Sequence, residues 1–400
     1  MMADNRNVGR VVVVFSSIGP GHHARLAAAG ELGDVYGLEV TSVERSRHPG
    51  VPFNATQYQR VTLLHGHPGD RHRGLWWPVR EALNKIEPRV VAIPGWSNQA
   101  GFAAMKWCLQ SGAAVVLMGD THVGAEQRAG IWRSVKRRIV RMCGGGLVAG
   151  SPQARYLNDL GMPRARIFTG YDVVDNDHFS RGAVQARANA AAIRTQLALP
   201  PKYFLCVSRL AAEKNLAFVI RAFREYRNLA GDDAWSLVIV GEGPEETAIR
   251  SVAEAPVFQG NVLLAGYREY GILPNYYGLA GAFILASVSE TWGLAVNEAM
   301  AAGLPVLVSR CCGCAEDLVQ DGVNGFTFDP RDEKALTGLM LALSAGDLEA
   351  MGKAGQEIIR QWPLRRFAEG LWTAALVASQ GTSRGAGLLD RVLLEGLEWL

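Results

Sequence analysis

Two glutamates in the stretch SETWGLAVNEAM, residues 289–300, have a spacing that suits ligand chemistry. Glu290 precedes a helix-like run, and Glu298 lies inside it. A helix start presents unpaired backbone N–H groups and the positive end of a dipole, which together suit a phosphate. Gly293 lets the backbone approach such a ligand closely. Since carboxylates accept hydroxyl hydrogen bonds, we expect Glu290 to face ligand hydroxyls and Glu298 to reach a ribose diol. The alternative is that Glu290 only caps the helix and Glu298 lies on the surface.

Two cations stand in the stretch VSRLAAEKN, residues 207–215, which follows an apolar run. Arg209 and Lys214 are five positions apart, at a predicted strand end and near a predicted helix start. Two cations placed there suit a pyrophosphate whose developing charge must be neutralised as it leaves. The alternative is a pair of solvated surface charges.

The elements that must position these residues are apolar, β-branched runs that alternate with glycine-containing turns and helix-like segments. They form two series: 11–21, 89–98, 113–122 and 146–152, then 204–210, 236–244, 262–267, 282–287 and 305–310. Continuous apolar strands alternating with helices indicate parallel sheets covered on both faces. The two series therefore predict an α/β fold of two Rossmann-like, doubly wound domains that face each other across a cleft. Ligands of such sheets bind at the carboxyl ends of the strands, where these residues stand.

The boundary between the two domains is predicted near an irregular polar segment. We place the linker around 171–180, before an Ala-rich helix at about 183–197. The predicted division is an N-terminal domain at 1–172, a second domain at 173–362, and a C-terminal helical segment at about 363–400 that crosses back to the first domain. Within this last segment, 387–400 is an amphipathic helix candidate.

Composition excludes several classes of protein. The 400 residues are 48% hydrophobic and 20% charged, as in an ordinary globular protein, and the net charge of +3 is too small to indicate a nucleic-acid partner. No apolar run reaches the roughly 18 residues that a membrane-spanning helix needs. Six cysteines without secretory context favour reduced thiols and a cytoplasmic location.

Four segments in chain order resemble the C-terminal half of the family 4 glycosyltransferases. They are VSRLAAEKN at 207–215, VGEGPEE at 240–246, SETWGLAVNEAMAAGLPVLVS at 289–309 and EDLVQDGVNGFTFDP at 316–330. The family has the GT-B architecture, and its hallmark of two glutamates separated by seven residues is matched by Glu290 and Glu298. The resemblance implies a retaining, metal-independent hexosyl transfer from a UDP- or GDP-sugar to a glycan, lipid-linked or small-molecule acceptor, as in polysaccharide biosynthesis.

The resemblance also implies residue roles. Arg209 and Lys214 would grip the donor diphosphate, Glu290 would contact the transferred sugar, and Glu298 would hold the ribose. The backbone around Gly293 would surround the sugar and phosphate. The donor-binding residues implied in this way are Gly21, Arg209, Lys214, Gly241, Tyr267, Glu290, Thr291, Trp292, Gly293, Leu294 and Glu298, and the catalytic ones are His122, Arg209, Lys214 and Glu290.

The turn SIGPGHHARL at 17–26 follows the first predicted strand, and in the family this loop approaches the donor phosphates and the acceptor. Gly21 is the best match, with His22 and His23 on the acceptor side, although a histidine beside a loop is more often structural. The G-x-G-x-x-G fingerprint is incomplete because position 24 is alanine, which weakens a nicotinamide-binding interpretation.

A second acceptor-side loop is GDTHVGAEQR at 119–128. The family often carries a histidine near the reacting centre here, and the match is ambiguous between Asp120 and His122. We prefer His122.

The next segment, AGIWRSVKRRIVRMC at 129–143, is basic and amphipathic. It predicts peripheral contact with an anionic membrane face or an anionic acceptor, and it equally fits a solvated basic face above a core-facing stripe.

Two features imitate metal sites. The DND triplet at 175–177 copies the D-x-D of another glycosyltransferase architecture but stands in the predicted linker. Cys311, Cys312 and Cys314 lack a fourth Cys or His nearby and the usual paired spacing, so a reduced loop beside the donor pocket is the simpler interpretation. We expect no metal and no other cofactor.

Two alternative functions stay open. A nucleotide-sugar epimerase of the same architecture would interconvert the donor without an acceptor, and the spacing of Glu290 and Glu298 argues against it. A non-catalytic nucleotide-sugar-binding protein would keep the donor half only, and the irregular loop at 119–128 is the feature that favours it.

Overall fold

The computed structural model describes residues 8–42, 57–64, 74–95, 98–125, 130–258 and 260–381, and positions 387, 390, 393, 394 and 396. Most of the amphipathic candidate at 387–400 lies outside the described residues. The chain divides into unit 1, which comprises Met1–Val173 and Leu364–Leu400, and unit 2, which comprises Val174–Pro363. No described helix is long and apolar enough to cross a bilayer.

Unit 1 is built on a parallel sheet of seven described strands in the order β3-β2-β1-β4-β5-β6-β7. Their bounds are β1 Val11–Phe15, β2 Val35–Thr41, β3 Gln59–Leu64, β4 Val90–Pro94, β5 Ala114–Gly119, β6 Gly145–Val148 and β7 Ile167–Thr169. The strand order reverses at β1, so the loops after β1 and β4 leave the sheet edge in opposite directions and open a crevice there.

Unit 2 repeats this arrangement with a parallel sheet of six described strands in the order β10-β9-β8-β11-β12-β13. The bounds are β8 Tyr203–Val207, β9 Ser236–Val240, β10 Val262–Gly266, β11 Ala282–Leu285, β12 Val306–Ser309 and β13 Gly325–Phe328. Its order reverses at β8, between β9 and β11. The predicted α/β class with two doubly wound parallel sheets is confirmed.

Helices connect the strands in both units. The described helices are α1 Pro20–Gly30, α2 Trp76–Ile86, α3 Gln99–Ser111, α4 Ile131–Met142, α5 Ser151–Asp159, α6 Asn176–Ala188, α7 Ala190–Leu197, α8 Leu216–Ala230, α9 Glu246–Ala253, α10 Leu273–Leu279, α11 Leu294–Ala301, α12 Ala315–Leu318, α13 Glu333–Ala345, α14 Leu348–Ile359 and α15 Leu364–Gln380.

The last long helix, α15, packs on the sheet of unit 1 although it follows unit 2 in the chain. Its Trp372 is buried and donates from Nε1 to the carbonyl of Ala29, 2.9 Å away. Gly145 on β6 lets the helix backbone approach, since a Cβ there would stand 2.9 Å from the carbonyl oxygen of Ala374. Burial of a large aromatic side chain of this kind is worth several kcal/mol, which anchors the returning segment.

The start of unit 2 differs from the sequence-based prediction. A helix at about 183–197 was expected after a linker at 171–180, but α6 already begins at Asn176. The Asp175 carboxylate accepts a hydrogen bond from the backbone N–H of His178 at 2.9 Å, which caps α6 and explains the earlier start. The predicted metal mimic at 175–177 therefore contains a helix cap, and a second helix, α7, follows.

Candidate functional site

The predicted cations and the first glutamate meet at the switch point of unit 2. Arg209 and Lys214 lie in the loop after β8, and Glu290 lies in the loop after β11. Because β8 and β11 are neighbours in the sheet, the two loops rise side by side from its carboxyl edge. The structure therefore brings together residues that are about 80 positions apart in the sequence.

An ion pair joins the two loops. Lys214 Nζ donates to Oε2 of Glu290, and the Ser287 hydroxyl donates to the same oxygen at 3.2 Å. The side chains of Lys214 and Glu290 keep 17% and 13% exposure. The pair is therefore shielded more than an ordinary surface pair, yet a ligand can still reach both groups. The alternative of two solvated surface charges does not hold for Lys214.

The N-terminus of α11 opens next to this pair. No side chain caps it, and its N-cap residue is Gly293, with φ of +110°. A Cβ at this position would stand 2.9 Å from Cδ2 of Leu285 and 3.4 Å from Sγ of Cys314, in a backbone conformation that L-residues rarely adopt. Glycine is thus required for the turn that precedes α11. Glu290 precedes this turn and does not cap the helix.

The cysteine loop holds this turn in place. The backbone N–H of Gly313 donates to the carbonyl of Glu290 at 3.0 Å, and that of Cys314 donates to the carbonyl of Trp292 at 3.1 Å. Cys312 and Cys314 are buried, and burial raises the pKa of both thiols. All cysteines among the described residues are free. Their role next to the predicted donor site is therefore structural support by the backbone.

Trp292 contributes only its backbone at this place. Its indole is buried, donates from Nε1 to Oδ1 of Asn297 at 3.0 Å, and packs on Trp362 with ring centroids 5.2 Å apart. The neighbours Thr291 and Leu294 are partly buried at the same turn. The bulky side chain that interrupts the motif is thus an anchor for the turn.

Glu298 lies in α11 and is partly buried, so the alternative of an exposed surface position does not hold. It accepts a hydrogen bond of 2.6 Å from the hydroxyl of Tyr277 on α10. Burial raises the pKa of the Glu298 carboxyl to about 7, and the hydrogen bond from Tyr277 opposes that rise. The tyrosine was not found from the sequence, because nothing in its neighbourhood shows that α10 packs beside α11.

The loop after β9 supports the loop that carries Arg209. Gly241 after β9 has φ of +143°, and a Cβ there would stand 1.9 Å from the carbonyl oxygen of Ser208. The backbone N–H of Leu210 donates to the carbonyl of Glu242 at 2.8 Å, so the two loops are tied together. Gly241 therefore permits close backbone packing. Arg209 is exposed and forms no ion pair within the described part of the chain.

The Tyr267 side chain is also accessible from solvent. It follows β10 and keeps 39% exposure. The backbone N–H of Gly241 donates to the carbonyl of Gly266 at 2.9 Å, which ties the start of this loop to the loop after β9. Tyr267 is thus carried on the same sheet edge as Arg209, as a nucleotide-base contact would require.

In unit 1, His22 is used as a structural group. Its Nδ1 accepts a hydrogen bond of 3.3 Å from the backbone N–H of Gly19, and its ring lies 4.3 Å from that of Phe15. Burial and the nearby Arg25 lower the pKa of His22 to about 3, so the ring is neutral at physiological pH. Gly21, directly before His22, lies in the first turn of α1, and open space surrounds the position of a Cβ there.

The other predicted acceptor-side residues lie in two places, His23 in the first turn of α1 and Asp120 and His122 in the loop after β5. His23 stands beside the Tyr58 hydroxyl, 3.0 Å from its Nδ1, and burial followed by the charge of Arg60 lowers the pKa of His23. Asp120 and His122 follow β5, and Nδ1 of His122 accepts from the backbone N–H of Gly124 at 3.1 Å. In the sheet, β4 separates β5 from β1, which carries the other loop.

A buried carboxylate that the sequence analysis missed holds the loop after β1. Glu39 is fully buried on β2 and accepts from the backbone N–H of Ile18 at 2.8 Å, from Thr62 at 2.7 Å and from two nitrogens of Arg60 at 2.8 and 3.0 Å. These hydrogen bonds offset the cost of burying the charge and fix the loop. A lone glutamate in the apolar run VYGLEVT was the available signal.

The chain is similar in sequence to known glycosyltransferases. The sequence model of the family described as "Glycosyl transferases group 1" matches residues 190–358. The chain is 30% identical to the alpha-monoglucosyldiacylglycerol synthase of Acholeplasma laidlawii over 129 residues, 32% of each chain. It is 32% identical to a GDP-mannose-dependent alpha-(1-6)-phosphatidylinositol monomannoside mannosyltransferase of Mycolicibacterium smegmatis over 195 residues, 46% of this chain and 49% of that protein. The matches thus span about a third to a half of these relatives' length.

Solved structures share the fold over nearly the whole chain. A glycosyltransferase from Rickettsia africae superposes with a TM-score of 0.71 at 14% identity, covering 93% of this chain and 99% of that one. The Anabaena protein HepE, solved in complex with UDP, superposes with a TM-score of 0.68 at 14% identity, covering 90% and 98%. At this identity the likeness concerns the fold, which is therefore that of the GT-B glycosyltransferases.

The Gly293 turn gives a first testable prediction. Gly293→Ala is expected to lower the free energy of unfolding of unit 2 by about 1–3 kcal/mol, because of its positive φ and the contact with Leu285. Gly338→Ala, in the interior of α13 with open space around its Cβ, is the matched control and should stabilise by up to about 1 kcal/mol. Urea denaturation of both variants measures the difference. Equal stability of the two would contradict the assigned turn.

The raised pKa of Glu298 gives a second testable prediction, on the pH dependence of stability. Its folded value of about 7 exceeds the ordinary 4.5, so between these values the folded state binds more protons than the unfolded state. Stability contributed by this group is complete below about pH 4.5 and is lost as pH rises through 7. At roughly 1.4 kcal/mol per pKa unit, the free energy of unfolding of wild type relative to Glu298→Gln should fall by up to about 3 kcal/mol.

Denaturation at pH 5 and pH 8 measures this change. The control is Glu269→Gln, which alters an exposed glutamate of the same unit and should leave the pH dependence as in wild type. If wild type and Glu298→Gln differ by the same free energy at both pH values, the carboxyl does not titrate as described.

Proposed function

We propose that the chain transfers a sugar from a nucleotide-sugar donor, a UDP- or GDP-sugar, to a hydroxyl group of an acceptor, because residues 190–358 match the sequence model of the group 1 glycosyltransferases. The observation that carries this proposal is the Lys214–Glu290 pair beside the uncapped N-terminus of α11, at the switch point of unit 2. A cation, a set of backbone N–H groups and a carboxylate meet there. Together they match a diphosphate joined to a polyhydroxyl ring.

The donor is bound by charge and dipole. Arg209, which has no ion-pair partner in the described structure, and Lys214 neutralise the diphosphate as it departs, and the N–H groups of α11 add to this stabilisation. Glu290 accepts hydrogen bonds from sugar hydroxyls. Its ion pair with Lys214 orients the carboxylate before the donor arrives. Glu298 takes the ribose hydroxyls.

The transfer is proposed to retain the anomeric configuration, as the glutamate spacing in the family pattern suggests. The departing phosphate then takes the proton of the acceptor hydroxyl on the same face of the sugar. No metal is assigned to the donor site, since Arg209 and Lys214 supply the positive charge that the diphosphate needs. Turnover that persists in EDTA would support this part, and loss of turnover that Mg²⁺ restores would overturn it.

The acceptor is proposed to be a glycan or a lipid-linked intermediate recognised through unit 1. The names of the relatives support the lipid class, because one is named as a synthase of monoglucosyldiacylglycerol and another as a mannosyltransferase of phosphatidylinositol monomannoside. His122, Asp120 and His23 are the acceptor-side candidates. His22 is a weaker one, because its ring already caps the start of α1.

Peripheral membrane contact through α4 is part of the proposal. Ile139 and Val140 of this helix are buried in unit 1. Two of its basic residues are engaged within unit 1, since Lys136 donates to the Tyr156 hydroxyl at 2.9 Å and Arg138 pairs with Asp390. Three others, Arg133, Arg137 and Arg141, have no partner among the described residues. They suit an anionic surface at roughly 1 kcal/mol per charge.

A liposome assay tests this contact. The triple change Arg133→Gln, Arg137→Gln and Arg141→Gln should lower cosedimentation with vesicles containing phosphatidylglycerol at least tenfold at low salt. Neutral phosphatidylcholine vesicles serve as the control surface. Wild-type protein that binds both vesicle types equally would contradict an electrostatic contact through α4.

Removing the donor-site charges gives the main test of function. Lys214→Met and Arg209→Met should each lower nucleotide release by at least a hundredfold, because stabilisation of a leaving group by one charge is worth about 2.7–4 kcal/mol. Lys202→Met, which removes an exposed charge from the same unit, should retain wild-type turnover. Release of nucleotide is measured with a panel of UDP- and GDP-sugars, with lipid and oligosaccharide extracts.

The same panel separates the alternatives. Release that rises with one extract supports a transferase, whereas interconversion of the donor without an acceptor would indicate an epimerase. Donor binding with neither reaction would indicate a binding protein. Unchanged turnover in Lys214→Met would overturn the assigned donor site.

A further inference from the structure

The hydroxyl of Tyr277 is placed on the carboxylate of Glu298 by packing that is unusually tight. Gly278, the next residue of α10, has no room for a side chain, since a Cβ there would stand 2.8 Å from the backbone of Ala183 on α6. Tyr277 itself is fully buried, with its ring edge-on to Phe179 at 5.7 Å. The aromatic ring therefore has one available position, and its hydroxyl donates to Glu298 Oε2 at 2.6 Å.

Among the described residues, Tyr277 donates a hydrogen bond to Glu298, and the neighbouring polar groups of α6 and α14 bond elsewhere. Tyr270, in the loop after β10, has a buried hydroxyl without a described partner, and burial, followed by the charges of Glu298 and Asp175, raises the pKa of this hydroxyl. From α6, Arg187 reaches the far end of α11, where it donates to the carbonyl of Ala302 at 2.6 Å. From α14, the uncharged Gln356 donates to the carbonyl of Ala301 at 3.2 Å.

We propose that Tyr277 is a positioning residue that holds the Glu298 carboxylate, through Oε2, so that its other oxygen receives the diol of the nucleotide ribose. This rests on the proposed function, because it takes Glu298 as the ribose contact. The tyrosine hydroxyl donates to one oxygen of the ionised carboxylate, which has no hydrogen of its own to donate, so the second oxygen is left to accept from the hydroxyls of the diol.

The position of Tyr277 also links ribose binding to pH. A hydrogen bond from a neutral donor favours the ionised form of Glu298, whereas burial favours the protonated form. Without the tyrosine hydroxyl, burial acts unopposed, and the carboxyl keeps its proton to higher pH. A protonated carboxyl binds a diol more weakly, so the loss of affinity in Tyr277→Phe is largest at low pH and shrinks as pH rises.

The test compares nucleotides with and without the diol. Calorimetry between pH 6 and pH 9 measures the affinity of UDP or GDP, whichever wild type binds more tightly, and of its 2′,3′-dideoxy counterpart. Tyr277→Phe should weaken the diol-bearing nucleotide about tenfold at pH 6 and by less than threefold at pH 9, in line with one hydrogen bond to a charged group. The dideoxy nucleotide should lose no affinity at any pH.

A matched control is Tyr203→Phe. This variant removes another buried tyrosine hydroxyl, which donates to the backbone carbonyl of Tyr276 at 2.7 Å, on the same helix as Tyr277. A merely structural disturbance of α10 would lower the affinity for both nucleotides equally and independently of pH. The control should leave the ratio of the two affinities at its wild-type value.

Wild-type protein provides a readout that does not depend on the folding of a variant. Its preference for the diol-bearing nucleotide over the dideoxy one should rise between pH 6 and pH 8 as Glu298 ionises. A preference that stays constant with pH, or an equal loss for both nucleotides in Tyr277→Phe, would overturn this proposal and leave the proposed function standing. Wild-type protein that binds no nucleoside diphosphate would overturn both.

Discussion

The ion pair between Lys214 and Glu290 is the interaction on which the arrangement of the loops at the carboxyl edge of the sheet of unit 2 depends. It links the loop after β8 to the loop after β11, the two connections that diverge where the strand order reverses. A partly shielded pair of this kind is costly to break from one side only, because the remaining charge is left without compensation. The loops are therefore held in one arrangement by the same groups that are suited to contact a charged ligand.

Close packing of the backbone also holds these loops together, in addition to the ion pair. Gly241 and Gly293 stand where a side chain would collide with the neighbouring loop, and the backbone of Cys314 donates to that of Trp292. Side chains in these loops are consequently divided between two roles. The indole of Trp292 turns inward and anchors the turn, whereas Arg209 stays at the surface. Rigid backbone beneath a few accessible charges is the arrangement expected of a pre-organised binding site.

Sequence reasoning recovered most of the fold, and its omissions have local causes. Nine strands were expected from continuous apolar runs, and those runs became strands. The runs of β2 and β3 were missed because Glu39 interrupts the first and the second alternates polar with apolar residues at the sheet edge. The strand β7 spans only three residues, and β13 has the sequence GFTF, in which a threonine interrupts the apolar residues, so neither is a continuous apolar run. The start of α6 was missed because its cap, Asp175, resembled a linker residue.

The sequence by itself determined the α/β class and the positions of Arg209, Lys214, Glu290 and Glu298 after apolar strands, because hydrophobic patterns and motif spacing are local properties of the chain. Only the tertiary structure decided which partner each group has. Glu290 meets a lysine 76 positions away, Glu298 meets Tyr277, and His22 turns back to cap its own helix. Such pairings depend on which helices and loops become neighbours in the folded unit, and burial then sets the protonation of the paired groups.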